Sequence, residues 1–379
     1  MKIGVLKERA ADEKRVAVSP ATVRSYVDLG FEVFIECGAG VDSGFSDNDF
    51  ETSGARISKI PLEILSDADL VLKVQPSPLD SKNTELTCMK KGGAVIGLLS
   101  PFENRDLLQS YCEKGISSFS MDFVPRITRA QSMDVLSSQS NLAGYRAVIE
   151  ASYEYAKIFP MMITAAGTVA PTRVLILGAG VAGLQAIATA KRMGAIVSVF
   201  DVRAAAKEQV ESLGGTFVEV ANDEDLETKG GYAKETSEEY KKKQSALIHA
   251  EINKSDIVIC TALIPGRKAP ILVPKTMVET MKMGSVIVDL AAVNGGNCEL
   301  TEVGKVVEYN NIKIVGYSNY ASRVASDASN LYSKNILNFV KLLVTKDSNE
   351  VKINTEDEII KSSLMTHEGH IVNKIISEA

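Results

Sequence analysis

The run Gly178-Ala179-Gly180-Val181-Ala182-Gly183 carries the clearest chemistry in this chain. It follows the apolar segment RVLIL directly and opens a second apolar segment, VAGLQAIATA. That order spells strand, glycine turn and helix, the setting in which G-x-G-x-x-G is a dinucleotide fingerprint. Gly178 permits the tight turn, Gly180 lets the backbone approach a pyrophosphate, and Gly183 lets the helix pack on the strand. The helix start supplies free N–H groups and the positive end of a dipole for phosphates. A ligand-free strand–helix turn would use the same glycines, so the residues that follow matter. Asp201 closes the next apolar run, AIVSVFD, where a carboxylate accepts hydrogen bonds from an adenosine ribose. A carboxylate there repels a 2′-phosphate and favours NAD(H) over NADP(H), while Arg203 nearby pulls the other way. Asp201 could also cap the helix that follows.

A polar constellation precedes this motif. Residues 126–139, RITRAQSMDVLSSQ, are dense in hydrogen-bonding side chains. At helical spacing Gln131, Asp134 and Ser138 share one face, and Asp134 and Ser137 are neighbours as well. A wet helix face has such spacing, and so does a polar wall along a cleft that binds a carboxamide and a ribose. A third stretch, Ala221 to Ser245, is charge-rich and nearly devoid of aliphatic residues, with Gly230-Gly231 followed by Tyr232. It reads either as a solvated insertion or as a flap, the glycines a hinge and Tyr232 an aromatic that packs over a ligand. The second glycine cluster, Gly38 to Gly44, is spaced G-x-G-x-x-x-G and leads into polar residues. We read it as a turn and expect a single dinucleotide site.

Bulk properties narrow the classes. Net charge is −6, which gives no basic surplus to bind nucleic acid. The 5 cysteines are scattered without a C-x-x-C pair and there are 3 histidines, so neither a disulfide framework nor a metal site is expected. A reducing cytosol suits that cysteine usage. Charges interrupt the N-terminus MKIGVLKER at once, unlike a signal peptide. The apolar stretch 174–190 is glycine-dense and reads as strand, turn and helix rather than a membrane span.

These residues need elements to hold them. KIGVL (2–6), FEVFIE (31–36), DLVLKV (69–74) and GAVIGLL (93–99) read as strands, with helices between them. Ser19 and Pro20 form a helix start, the serine as N-cap and the proline at the first helical position. Residues 130–160 read as one long helix ending at Pro160. From Arg173 the alternation starts afresh, with later strands at 256–263, 285–291 and 312–318 and a final helix at 329–344. The expected class is α/β, with two Rossmann-like domains built on parallel sheets and long linking helices. The NAD-binding domain, 136–319, is expected as an insertion in a first domain formed by 1–135 plus 320–379.

Taken together, RITRAQSMDVLSSQSNLAGYRAV (126–148), MMITAAGTVAPTRVLILGAGVAGLQAIATAKRMGA (161–195), DVRAAAKEQVESLGG (201–215), GGYAKE (230–235) and CTALIPGRKAP (260–270) are more specific than any glycine fingerprint. Over essentially its whole length the chain resembles the NAD(H)-binding domain I, the first portion of the alpha subunit, of proton-translocating NAD(P) transhydrogenases. That family is related to alanine dehydrogenase, which shares Lys7-Glu8 and Arg15-Val16-Ala17-Val18-Ser19-Pro20. Two departures separate the chain from the dehydrogenases: Gln75 stands where they carry a substrate-binding lysine, and no histidine lies near Leu98–Ser100, where their catalytic one falls. Amino-acid oxidation needs a base; transfer of a hydride between two nicotinamides does not. The resemblance implies that Arg126, Gln131, Asp134 and Ser137 line the nicotinamide end of NAD(H). It implies that the glycine turn and Val181 hold the pyrophosphate, and that Asp201, Val202 and Arg203 hold the adenosine ribose. Leu263 would lie under the cofactor, and Gly231 and Tyr232 on the closing flap. It further implies a homodimer, with NADP(H) on a partner subunit and protons carried by membrane-spanning subunits. The chain would then sit peripherally on the cytoplasmic side of the inner membrane. An alanine-dehydrogenase-like oxidoreductase and a non-catalytic NAD-binding protein are the competing readings.

Overall fold

Alternating apolar strands and amphipathic helices build two doubly wound sheets in the computed structural model, which describes residues 1–77, 85–220, 237–263, 266–344 and 350–378. The chain divides into two compact units, Met1–Gln139 with Ser322–Ala379, and Ser140–Ala321.

In the first unit the strands are β1 (Lys2–Val5), β2 (Glu32–Glu36), β3 (Arg56–Ser58), β4 (Leu70–Leu72), β5 (Ala94–Gly97) and β6 (Ser117–Ser120). They run parallel in the order β3-β2-β1-β4-β5-β6, and the C-terminal strands Leu364–His367 and His370–Ile371 extend the sheet antiparallel beyond β6. Strands such as β4 and β5 are buried at every residue, as continuous apolar runs covered on both faces should be. Ser19 caps the Pro20–Asp28 helix in a capping box with Thr22. The Ala325–Val340 helix packs its buried face, Tyr332, Ile336, Phe339 and Val340, into the core over β1, β4 and β5.

In the second unit β7 (Met162–Thr164) and β8 (Gly167–Val169) form a separate antiparallel hairpin, exposed at every strand residue. The main sheet holds β9 (Arg173–Leu177), β10 (Ile196–Phe200), β11 (Thr216–Val218), β12 (Ile257–Cys260), β13 (Val286–Asp289), β14 (Val306–Tyr309) and β15 (Ile312–Val315). Their order is β11-β10-β9-β12-β13-β15-β14, parallel except for β14. Separate apolar clusters cover its two faces, one around Ile176 and Ile187, the other around Leu177 and Ile248.

The helix expected over 130–160 is shorter. A 3-10 helix, Thr128–Met133, comes first, and the α-helix runs from Val135 to Glu154. Asp134 makes the break, because its carboxylate takes the N–H of Ser137 at 2.9 Å and so caps a new helix. The far end stops before Pro160, where Lys313 donates to the Glu154 carbonyl at 3.1 Å and Tyr155 and Phe159 turn into the core. The last long helix begins at Ala325, earlier than expected, and the strand read over 256–263 ends at Cys260. Among the described residues no helix is long and apolar enough to cross a membrane.

Candidate functional site

In the second unit the strand order turns between β9 and β12, with β10 and β11 on one side and β13 and β15 on the other. Open α/β sheets take ligands at the carboxyl ends of strands beside such a switch point. Leu177 leads there into the glycine turn, Phe200 into Asp201, and Cys260 into Thr261–Leu263.

The glycines divide the work. Gly178 sits at φ +104°, a conformation that disfavours any side chain, and a Cβ there would meet Thr261 Oγ1 at 2.7 Å. A Cβ on Gly183 would fall on the Gly178 carbonyl oxygen. Around Gly180 nothing lies within 4 Å of the Cβ position, so a ligand can approach the main chain. The Val181–Arg192 helix starts here with no side-chain cap, leaving its first N–H groups for an outside acceptor. Val181, 38% exposed, stands at that opening.

Asp201 is buried at the end of β10, and its carboxylate is fully engaged. Oδ2 accepts from the Ala179 N–H at 2.6 Å and from Arg203 Nη2 at 2.9 Å. Oδ1 accepts from the Arg203 backbone N–H at 2.9 Å and Nε at 3.0 Å. The carboxylate thus locks the glycine turn and holds a guanidinium, rather than capping the Ala206–Ser212 helix. Val202 packs partly buried beside Phe200.

Three residues not singled out from the sequence shape the third strand end. Thr261 Oγ1 donates to the Gly178 carbonyl at 2.9 Å, tying β12 to the turn. Asn297 clasps Ala262, accepting from its N–H at 3.0 Å and donating to its carbonyl at 2.9 Å. Asp289 ends β13 fully buried and accepts from the N–H groups of Ala291, Asn297 and Cys298 and from the Thr301 hydroxyl. Leu263, 41% exposed, lies just past the clasp. One signal was readable: Asp289 ends SVIVD as Asp201 ends AIVSVFD.

The polar constellation belongs to the first unit. Arg126 and Gln131 are exposed. Asp134 and Ser137 meet as their spacing suggested, the hydroxyl donating to Oδ2 at 2.6 Å. Gln131, Asp134 and Ser138 do not share a helix face, since Asp134 separates the 3-10 turn from the α-helix. Gly231 and Tyr232 lie outside the described residues.

At the strand ends of the first unit the polar groups satisfy one another. Arg15, nearly fully buried, forks onto Glu13 at 2.6 and 2.8 Å and donates to Gln139 at 2.8 Å. Gln75 donates to the same Glu13 carboxylate at 3.1 Å. Lys73 is buried against Glu85 at 2.9 Å and Glu8 at 3.9 Å. Burial pushes Glu8 above the ordinary carboxylate range, against the charge of Lys73.

Family models for the alanine dehydrogenase/PNT N-terminal and C-terminal domains match residues 4–143 and 147–374. A Rickettsia prowazekii protein, named as the first portion of an NAD(P) transhydrogenase alpha subunit, is 51% identical over 378 residues, covering 100% of this chain and 98% of its own. A Rhodospirillum rubrum protein of the same name is 51% identical over 380 residues, covering 100% and 99%. The crystal structure of transhydrogenase from Sinorhizobium meliloti matches with a TM-score of 0.89 at 46% identity, over 98% of this chain and 100% of that one. An L-alanine dehydrogenase structure matches at 0.81 with 26% identity, over 100% and 98%. The chain belongs to the alanine dehydrogenase/PNT family, with NAD(P) transhydrogenase alpha subunits as relatives along its whole length.

Proposed function

We propose that this chain is the NAD(H)-binding subunit of a proton-translocating NAD(P) transhydrogenase. In this role a hydride leaves C4 of the dihydronicotinamide of NADH and joins C4 of the nicotinamide of NADP+ on a partner subunit. NAD+ and NADPH result, and no proton moves at either carbon. The observation that carries this reading is the whole-length relation to transhydrogenase alpha subunits at 51% identity. The geometry of the turn is consistent with the ligand: open main chain at Gly180, tight packing at Gly183 and a carboxylate on the neighbouring strand.

The residue roles follow. The open main chain at Gly180 and Val181 faces the pyrophosphate, while Gly178 and Gly183 give the turn the shape that allows it. Asp201, with Val202 and Arg203, receives the adenosine ribose, which competes with the Arg203 guanidinium for the carboxylate oxygens. Leu263 supplies an apolar surface for the cofactor. Arg126, Gln131, Asp134 and Ser137 orient the nicotinamide end so that the reacting carbons reach about 3–3.5 Å. The first unit argues against amino-acid oxidation: Gln75 is neutral and hydrogen-bonded to Glu13, and no histidine lies near Leu98–Ser100 to serve as base.

Partner subunits hold NADP(H) and span the membrane, with this chain peripheral on its cytoplasmic side. The chain forms a homodimer. Its β7–β8 hairpin supports that assignment, since a lone two-stranded hairpin is marginal in water and this one exposes Met162, Ile163 and Val169. Titration calorimetry of the chain with NADH and NADPH, beside an assay with L-alanine and NAD+, tests the reading. NADH bound with clear preference and no alanine-dependent NADH formation is expected. Equal affinity for both nucleotides, or alanine oxidation, would overturn it.

A further inference from the structure

Thr128–Met133 is a 3-10 helix, a form with poorly aligned hydrogen bonds that persists only in short runs. Gln131 sits exposed on it, so its position is set by whatever holds the turn. Three anchors in the first unit do this. Ala130 and Met133 are buried in the core beneath. Asn335 and Asn338, on the Ala325–Val340 helix, both donate to the Ser132 carbonyl, at 2.8 and 3.3 Å. Arg129 forks onto Asp357, Nη1 to Oδ2 at 2.7 Å and Nη2 to Oδ1 at 2.9 Å.

The third anchor differs from an ordinary surface ion pair. Most such pairs hold two mobile side chains and contribute little, but a bidentate fork on a fixed partner is the exception. Asp357 is fixed. Its Oδ1 also accepts from the N–H groups of Ile359 at 2.9 Å and Ile360 at 3.4 Å, as N-cap of the Glu358–Ser363 helix. Ile359 and Ile360 are buried in the core, so the cap cannot drift. One carboxylate therefore starts a C-terminal helix and grips the turn that carries Gln131.

We propose that Asp357, acting through Arg129, is a positioning residue for hydride transfer, holding the Thr128–Met133 turn and with it Gln131 in the transfer-competent place. This rests on the transhydrogenase reading of Gln131. Asp357 touches no nucleotide in this scheme. Loss of the clamp lowers the transfer rate and leaves NADH affinity alone.

Asp357→Asn keeps the N-cap, because asparagine caps as well as aspartate, but cannot offer Arg129 two charged acceptors. Arg129→Gln removes the fork and leaves the cap untouched; Arg129→Lys keeps the charge without the fork. Two readouts apply. Hydrogen exchange on the full chain alone reports whether amides 128–134 loosen. Single-turnover transfer in the assembled complex, from NADPH to an NAD+ analogue whose reduced form absorbs at another wavelength, reports the consequence. We expect exchange of those amides to speed roughly tenfold while amides 358–363 hold. The transfer rate at saturating nucleotide should fall about three- to tenfold, with NADH affinity within about twofold. Asp357→Asn, Arg129→Gln and the double variant should be equally slow, as members of one coupled pair are, and Arg129→Lys should recover part of the rate. Unchanged exchange in Arg129→Gln overturns the clamp. Faster exchange with a wild-type transfer rate overturns the positioning role, as does a loss seen only in NADH affinity. If wild-type complex transfers no hydride, the transhydrogenase reading fails, and the exchange result still decides whether the clamp exists.

Discussion

The N–H of Ala179 donates to Asp201 Oδ2 at 2.6 Å, so the carboxylate ending one strand closes the glycine turn ending its neighbour. The same carboxylate holds Arg203 through both oxygens. The proposed ribose acceptor and the turn geometry therefore share one side chain. Asp201→Ala removes the ribose acceptor, leaves the Ala179 N–H without it, and frees the Arg203 guanidinium for a 2′-phosphate. NADH affinity should fall at least about tenfold, or about 1.4 kcal/mol, and the gap to NADPH should narrow. Calorimetry with both nucleotides checks this; an unchanged ratio of affinities would remove Asp201 from nucleotide selection.

Gly180 and Gly183 should respond differently to one added methyl. At Gly183 it meets the Gly178 carbonyl, which is backbone and cannot swing aside. Gly183→Ala should cost about 1–3 kcal/mol of stability and weaken NADH binding with it. At Gly180 there is open space, so Gly180→Ala should melt like the wild type and lose nucleotide affinity alone. Thermal melts with and without NADH separate the two; equal melting temperatures for both variants would show that the close contact at Gly183 is not held in solution.

Acid stability should depend on the Glu13–Arg15 pair. Burial pushes the Glu13 carboxyl up, but the hydrogen bonds and charge of Arg15 outweigh it and hold it below the ordinary range. A carboxylate depressed on folding contributes stability that is full above its unfolded value, about 4.3, and is lost as pH falls through the lower folded value. Glu8, raised by burial, works in the opposite sense, losing its contribution as pH rises through its folded value. Glu13→Gln leaves Arg15 buried without its charged partner and should cost about 3–5 kcal/mol at neutral pH. The difference from wild type should shrink as pH drops below about 4.3. Urea melts across pH 3–7 measure it, and a difference independent of pH would contradict the assignment.

Thiol reactivity should follow burial. Cys112, Cys260 and Cys298 are buried, while Cys37 and Cys88 are partly exposed. Burial pushes the Cys260 thiol well above its ordinary value, and burial pushes Cys298 up to about 11. Native labelling with a maleimide at neutral pH should mark Cys88, mark Cys37 more slowly because its thiol donates to the Asp47 carboxylate at 3.1 Å, and spare the other three until the chain unfolds. Rapid labelling of Cys260 in the native chain would mean that the β12 end opens.

The central strands of both main sheets were legible as continuous apolar runs punctuated by glycine, whereas β3, β6, β11, β14, the C-terminal strands and the β7–β8 hairpin, short or polar, were not. The G-x-G-x-x-G turn was legible because its spacing encodes a local geometry. The break at Asp134 was not. Apolar spacing continues on both sides of it, and what ends one helix and starts the next is a carboxylate taking the Ser137 N–H, a competition between side chain and backbone that periodicity does not report. The end at Glu154 depended on Lys313, and the grip on the Gln131 turn on Asp357 and Asn335. Those partners are distant in sequence and become neighbours only once the chain is folded. Thr261 and Asn297 escaped notice for the same reason, whereas Asp289 bonds to near neighbours and carried a readable signal at the end of SVIVD.

Membranes that carry the remaining transhydrogenase subunits but lack this chain allow the most direct measurement. Purified chain is added back, and hydride transfer from NADPH to an absorbance-shifted NAD+ analogue is followed. Saturable recovery of transfer, abolished by nucleotide-binding variants at Gly180 and Asp201, is the predicted result. A chain that binds NADH yet restores no transfer at any concentration would contradict its assignment as the NAD(H)-binding subunit of a transhydrogenase.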